Sequence, residues 1–166
     1  MKKELIILMV LTGSVFINSC SRSGHRKAGA NGKIETPVES NVVPMEKIDN
    51  VYEIPVEIDG VSMHFIFDTG ASIISISETE AMFLYKQGGL TSDDIKGSSN
   101  FSDATGGISK GTIINLKTVK IGNKTLQNVS ASVVPNLQAP LLFGQSALEQ
   151  FGKVSIDYQR KEITFE

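Results

Sequence analysis

Two apolar runs facing each other across Asp59-Gly60 limit what this chain can become more than any other feature. In Val51 to Ile58 the residues Ile54, Val56 and Ile58 recur with a period of two, the period of a strand with one buried face. Asp-Gly suits a two-residue hairpin, because Gly takes a positive φ without strain. Val61 to Phe67 returns as a second strand, apolar enough to be expected buried on both faces. The start of the folded part is therefore a β-hairpin, and 15 Gly in 166 residues agree with a turn-rich β protein.

The following segments extend that reading. After a tight turn at Thr69-Gly70, Ile73, Ile74 and Ile76 begin another strand. Ser77 and Glu80 have the spacing of a capping box, predicting a short helix from Glu78 to about Lys86 that Gly88-Gly89 stops. Thr91 to Ile95 predicts one more helical turn, and the Gly- and Ser-rich stretch Phe101 to Lys110 an exposed hairpin tip. Ile113 to Ile121 and Leu126 to Val134 alternate across Gly122-Asn123-Lys124, a further hairpin. Leu141-Leu142-Phe143-Gly144 reads as a buried strand entering a helix, Gln145 to Phe151, with Gly152 as its C-terminal glycine. Val154 to Tyr158 and Glu162 to Phe165 make a last hairpin. The expected class is mostly β with short helices.

Composition narrows the function classes. With 40% apolar residues the chain supports one ordinary domain. A net charge of −2 gives no sign of a nucleic-acid partner. One Cys and two His make neither an internal disulfide nor an ordinary zinc site, so no metal or organic cofactor is expected.

The N-terminal region reads as an address. Lys2 and Lys3 precede an apolar run from Leu5 to Ile17, the length of a signal-peptide core and too short to span a bilayer. Ile17-Asn18-Ser19-Cys20 resembles a bacterial lipobox, which implies cleavage before Cys20 and its lipidation, although Asn18 departs from the usual small residue. A plain signal peptide with an incidental Cys is the simpler alternative. Removing residues 1–19 leaves a net charge of −3, without a polybasic patch. Residues 20–48, rich in Ser, Gly and Asn and holding His25, are expected to be a flexible tether, with a short strand possible near Val42-Val43. The folded domain is expected over 49–166. Without an acidic run after Cys20, the expected location is the periplasmic face of an outer membrane.

The chemistry concentrates in Phe65-Ile66-Phe67-Asp68-Thr69-Gly70-Ala71-Ser72. A carboxylate at the end of a buried apolar strand is costly unless something uses or satisfies it. The plain alternative is a turn, with Asp68 accepting backbone N–H bonds. Phe67-Asp68-Thr69-Gly70-Ala71-Ser72 and the later Leu141-Leu142-Phe143-Gly144 together resemble the two signatures of single-lobe, retropepsin-like aspartic proteases, and the order of elements between them agrees.

That resemblance implies a retropepsin-like barrel with one lobe per chain, and an endopeptidase using paired aspartates around a water. Asp68 would be catalytic. Only one Asp-Thr-Gly is present, so a homodimer would supply the second carboxylate. Thr69 would lock the two loops together, and Gly70 would let its N–H meet the carboxylate. Ala71 stands where pepsin-like enzymes usually carry a Ser that stabilises the ionised Asp, which implies a working pH nearer neutral. Ala104, Thr105, Gly106 and Gly107 match the position of the substrate-binding flap. His64 and the three Tyr are expected to have no catalytic role. The reading from another class is a non-catalytic peptide- or protein-binding envelope lipoprotein with the same fold.

Overall fold

The protein is described by a computed structural model covering residues 40–102 and 105–166. The signal-peptide, lipobox and Cys20 expectations, the first part of the tether with His25, and Asp103 and Ala104 of the flap lie outside the described residues.

The chain is mostly β. Strands β1 (Asn41–Pro44), β2 (Glu46–Ile48), β3 (Val51–Ile58), β4 (Val61–Phe67) and β5 (Ile74–Ser77) lead into helix α1 (Glu78–Gln87). After a 3-10 turn at Ser92–Asp94 come β6 (Ile95–Ser102), β7 (Ile108–Ile121), β8 (Lys124–Val134) and β9 (Leu142–Phe143). Helix α2 (Gln145–Leu148), β10 (Val154–Asp157) and β11 (Glu162–Phe165) complete the order. The larger sheet runs β2-β3-β4-β9-β5-β8-β7-β6, and β3 also pairs β7 through Ile58 and Val119. That pairing closes six strands on themselves around the core. β1, β11 and β10 form a second, three-stranded sheet.

Local chemistry accounts for these elements. Asp59 (φ 47°) and Gly60 (φ 86°) make the expected β3–β4 turn. Asp59 does more than turn the chain: its carboxylate accepts from the Thr118 N–H at 2.7 Å and the Thr118 hydroxyl at 3.1 Å, tying the hairpin to β7. Ser77 caps α1 by accepting from the Thr79 and Glu80 N–H groups, and its hydroxyl donates to the Glu80 carboxylate. Gly88 ends α1 in the left-handed region. The 3-10 turn is fastened to β7 by Asp94, which is 6% exposed and accepts from the Thr91 hydroxyl at 2.6 Å and the Lys117 ammonium at 3.1 Å. These bonds, the Thr91 hydroxyl first, lower the Asp94 pKa to about 2.

Four expectations need correction. Residues 41–48 are not tether: β1 pairs β11, β2 pairs β3, and Val43 and Met45 are buried in the core. The polar composition of this stretch concealed an alternating strand in which Asn41 and Val43 point inward. β4 is not buried on both faces: Ser62 and His64 are exposed, and Ile66 and Phe67 are half-buried. Helix α2 stops at Leu148, and Gly152 does not adopt a positive φ. β7 begins at Ile108, before the expected Ile113, because its first residues pair with β6 to build the projecting hairpin.

Candidate active site

Asp68 stands just past the end of β4, and three features of its surroundings place it there. First, an aromatic chain anchors the strands behind it. Phe65 meets Phe143 edge-on at 6.4 Å, Phe143 meets Phe165 in the same way at 6.4 Å, and Phe165 packs on Phe151 at 4.6 Å. Each such pair contributes about 0.5–1.5 kcal/mol beyond its buried area. Together they fix β4, β9, β11 and the end of the α2 segment relative to one another.

Second, β9 lies parallel to β4, with Ile66 opposite Leu142 and Phe67 opposite Phe143. The Asp68 N–H donates to the Phe143 carbonyl at 3.2 Å, extending that ladder to the acidic residue.

Third, the start of α2 clamps the loop that follows. The Gln145 N–H donates to the Ala71 carbonyl at 2.9 Å, and the Ser146 N–H to the Ser72 carbonyl at 3.2 Å. The Gln145 side-chain amide donates to the Thr69 carbonyl at 2.8 Å. The Ile74 N–H donates to the Ser146 hydroxyl at 2.9 Å. Gly144 makes this approach possible, since a Cβ there would stand 2.7 Å from the Ala71 carbonyl oxygen and would overlap that of Ile73. The two sequence signatures are thus one structural unit.

Within the loop, the Gly70 N–H donates to the Asp68 carboxylate at 2.8 Å. Gly70 has no positive φ. Its missing side chain matters because a Cβ would lie 3.2 Å from an Asp68 carboxylate oxygen. Thr69 and Gly70 are exposed, and Asp68 and Ala71 are half-buried. The Ala71 N–H donates to the Asp68 carbonyl at 3.3 Å.

Two hollows flank the loop. Asp68 opens on a cavity of about 340 Å³ lined by Met45, Val51, Tyr52, Phe67, Ile156 and Tyr158 among others, with no other acidic residue among the described residues. Gly70, Ala71 and Ser72 line a second cavity of about 400 Å³, closed on its far side by Phe101, Ser102 and Ser109 of the β6–β7 hairpin. Residues of the hairpin and of the loop after Asp68 thus border one cavity. Thr105, Gly106 (φ 84°) and Gly107 lie in the hairpin tip, away from both hollows. Gln145, Ser132 and Asn136 were not singled out from sequence. They come from segments distant from Asp68, and only the Gly144-Gln145 junction carried a local signal.

The other described aspartates lie elsewhere: Asp59 and Asp94 as above, Asp49 in the β2–β3 turn with φ 46°, Asp93 in the 3-10 turn, and Asp157 in a turn with Gln159 and Arg160. The C-terminal strand β11 pairs within its own chain, between β1 and β10.

Comparison with known proteins agrees with this geometry. No curated protein matches the sequence. A solved structure described as a retropepsin-like aspartic protease from Rickettsia conorii superposes with a TM-score of 0.58 at 25% identity, covering 76% of this chain and 89% of that one. The fold is accordingly a single retropepsin-like domain. Residues 54–150 match the family described as "gag-polyprotein putative aspartyl protease". That span holds the whole clamp, from the β4 strand through Asp68 to Gln145, and the chain belongs to this aspartyl protease family.

Proposed function

We propose that this protein is a homodimeric aspartic endopeptidase in which two copies of Asp68 share one proton. The observation that carries the reading is the clamped Asp68 loop. Its carboxylate is held at the surface by Gly70 and faces a hollow that contains no second acid among the described residues. A lone carboxylate has no partner for acid–base chemistry on an amide, and a two-fold axis beside Thr69 supplies one. The apolar surface around it is what a second copy would cover: Val51, Ile156 and Tyr158 are exposed, and β10 has a free edge among the described residues.

In the dimer the ionised carboxylate takes a proton from the bound water as that water's oxygen attacks the scissile carbonyl carbon. The protonated carboxyl gives its proton to the carbonyl oxygen. The tetrahedral diol then collapses: the now ionised carboxylate takes a proton from one diol hydroxyl, the C–N bond breaks, and the protonated carboxyl gives its proton to the leaving nitrogen. Ala71 offers no hydroxyl to favour the ionised form, which supports activity nearer neutral pH. Residues 1–19 as a signal peptide and Cys20 as a lipid anchor would hold the enzyme on the periplasmic face of an outer membrane. Anchoring both subunits there raises their effective concentration.

The test is cleavage of a diverse peptide library by the full chain in detergent, from about pH 4 to about pH 8, beside Asp68→Asn, read by mass spectrometry. Cuts that vanish in the variant support the protease. Peptide binding that persists in both without any cut supports the non-catalytic alternative, in which Asp68 serves only the turn closed by Gly70.

A further inference from the structure

The cavity beneath the β6–β7 hairpin contains a polar group that catalysis does not explain. Ser132 on β8 is 2% exposed, and its hydroxyl has no hydrogen-bond partner among the described residues. Its register partner on β5 is Ser75, so two small side chains stand together in the wall of this cavity of about 400 Å³. On β7, Gly111 leaves the space that the hydroxyl occupies, since a Cβ there would overlap the Ser132 oxygen and stand 3.0 Å from the Phe101 ring. A buried hydroxyl without a partner destabilises a fold, and Ala would fill nearly the same volume without that cost. Among the described residues no ionisable side chain lines the cavity, and Phe101, Val134 and Leu142 make much of it apolar.

We infer that Ser132 is a specificity-determining residue: it hydrogen-bonds the neutral polar tip of a substrate side chain whose stem lies between Phe101 and Leu142. The class selected is Thr, Asn or Gln over the apolar isosteres Val and Leu. Because Gly70 and Ala71 line the same cavity, the selected residue lies beside the scissile bond. Phe101 packs against Gly111 next to the hydroxyl, so the hairpin governs access to it. This inference rests on the proteolytic reading.

The test gives the full chain in detergent peptide pools that carry Thr with Val, and Asn with Leu, in equal amounts at every position. The wild type should cut Thr over Val by about tenfold at one position near the scissile bond, because a site built to hydrogen-bond a hydroxyl rejects the analogue lacking it. Ser132→Ala should abolish or invert that ratio, yet melt at the wild-type temperature or a few degrees (~2–4) above it. A purely structural hydroxyl would not separate the two readouts. Cleavage without any Ser132-dependent preference overturns the inference and leaves the protease standing. If the wild type cuts nothing, the proteolytic reading falls, and retention of the same pools decides: Thr retained over Val only when Ser132 is present supports the subsite, and equal retention overturns it.

Discussion

Replacing Gly144 by Ala should loosen the Asp68 loop more than any other single methyl added to this protein. The backbone there has φ −102° and ψ −169°, an extended conformation that Ala adopts freely. The effect is therefore steric. The new Cβ meets the Ala71 carbonyl oxygen at 2.7 Å and overlaps that of Ile73, and both are backbone atoms. They cannot yield without stretching the bonds from Gln145 to Ala71, 2.9 Å, and from Ser146 to Ser72, 3.2 Å. Losing two such bonds costs about 1 kcal/mol each. Overpacking the junction adds about 1–3 kcal/mol. A total near 4 kcal/mol would move a urea midpoint down by about 1–4 M at ordinary slopes. Gly70→Ala is the control. Its Cβ lies 3.2 Å from an Asp68 oxygen on an exposed loop, so stability should fall by less than about 1 kcal/mol. On the proposed function, peptide cleavage should still drop by about tenfold, since the carboxylate proposed to be catalytic is displaced. A Gly144→Ala protein with the wild-type midpoint would refute the clamp as described.

The same reasoning extends to two other places. Asn41→Ala should cost about 2 kcal/mol in urea unfolding, because the Asn41 side chain bonds both the Ile121 carbonyl and the Asn123 N–H, each at 2.9 Å. A chain beginning at residue 49 should not reach a cooperative fold at all, because it lacks β1, Val43 and Met45. Asp94, lowered to about 2 when folded, stabilises the protein above about pH 4 and loses that contribution as pH falls toward 2. Thermal melts over that range should show a loss of about 2 kcal/mol that Asp94→Asn removes.

What the sequence revealed, and what it hid, follows from how far each interaction reaches. The β3 and β4 boundaries and the α1 cap were legible because period-two alternation, Asp59-Gly60 and Ser77 with Glu80 are local signals. Asp68 stands out in the sequence because a carboxylate follows the apolar run Phe65-Ile66-Phe67, although the structure leaves it only half-buried. β1 was concealed because four residues, Asn41 among them, resemble a polar linker until β11 arrives from the other end of the chain. Burial of β4 was overread because apolar side chains at Ile66 and Phe67 stand at a surface that a single chain leaves partly open. Ser132 carries no local signal: its position between Ser75 and Gly111 exists only once β5, β7 and β8 are side by side.

The most direct test of the central claim mixes subunits. With wild-type chain held constant and fully dimeric, Asp68→Asn chain is added and peptide cleavage is followed. If each active site needs one Asp68 from each copy, an equal amount of variant should halve the rate, and a tenfold excess should leave about a tenth of it. A rate that ignores the added variant, while mixed dimers are shown to form, would contradict a shared site.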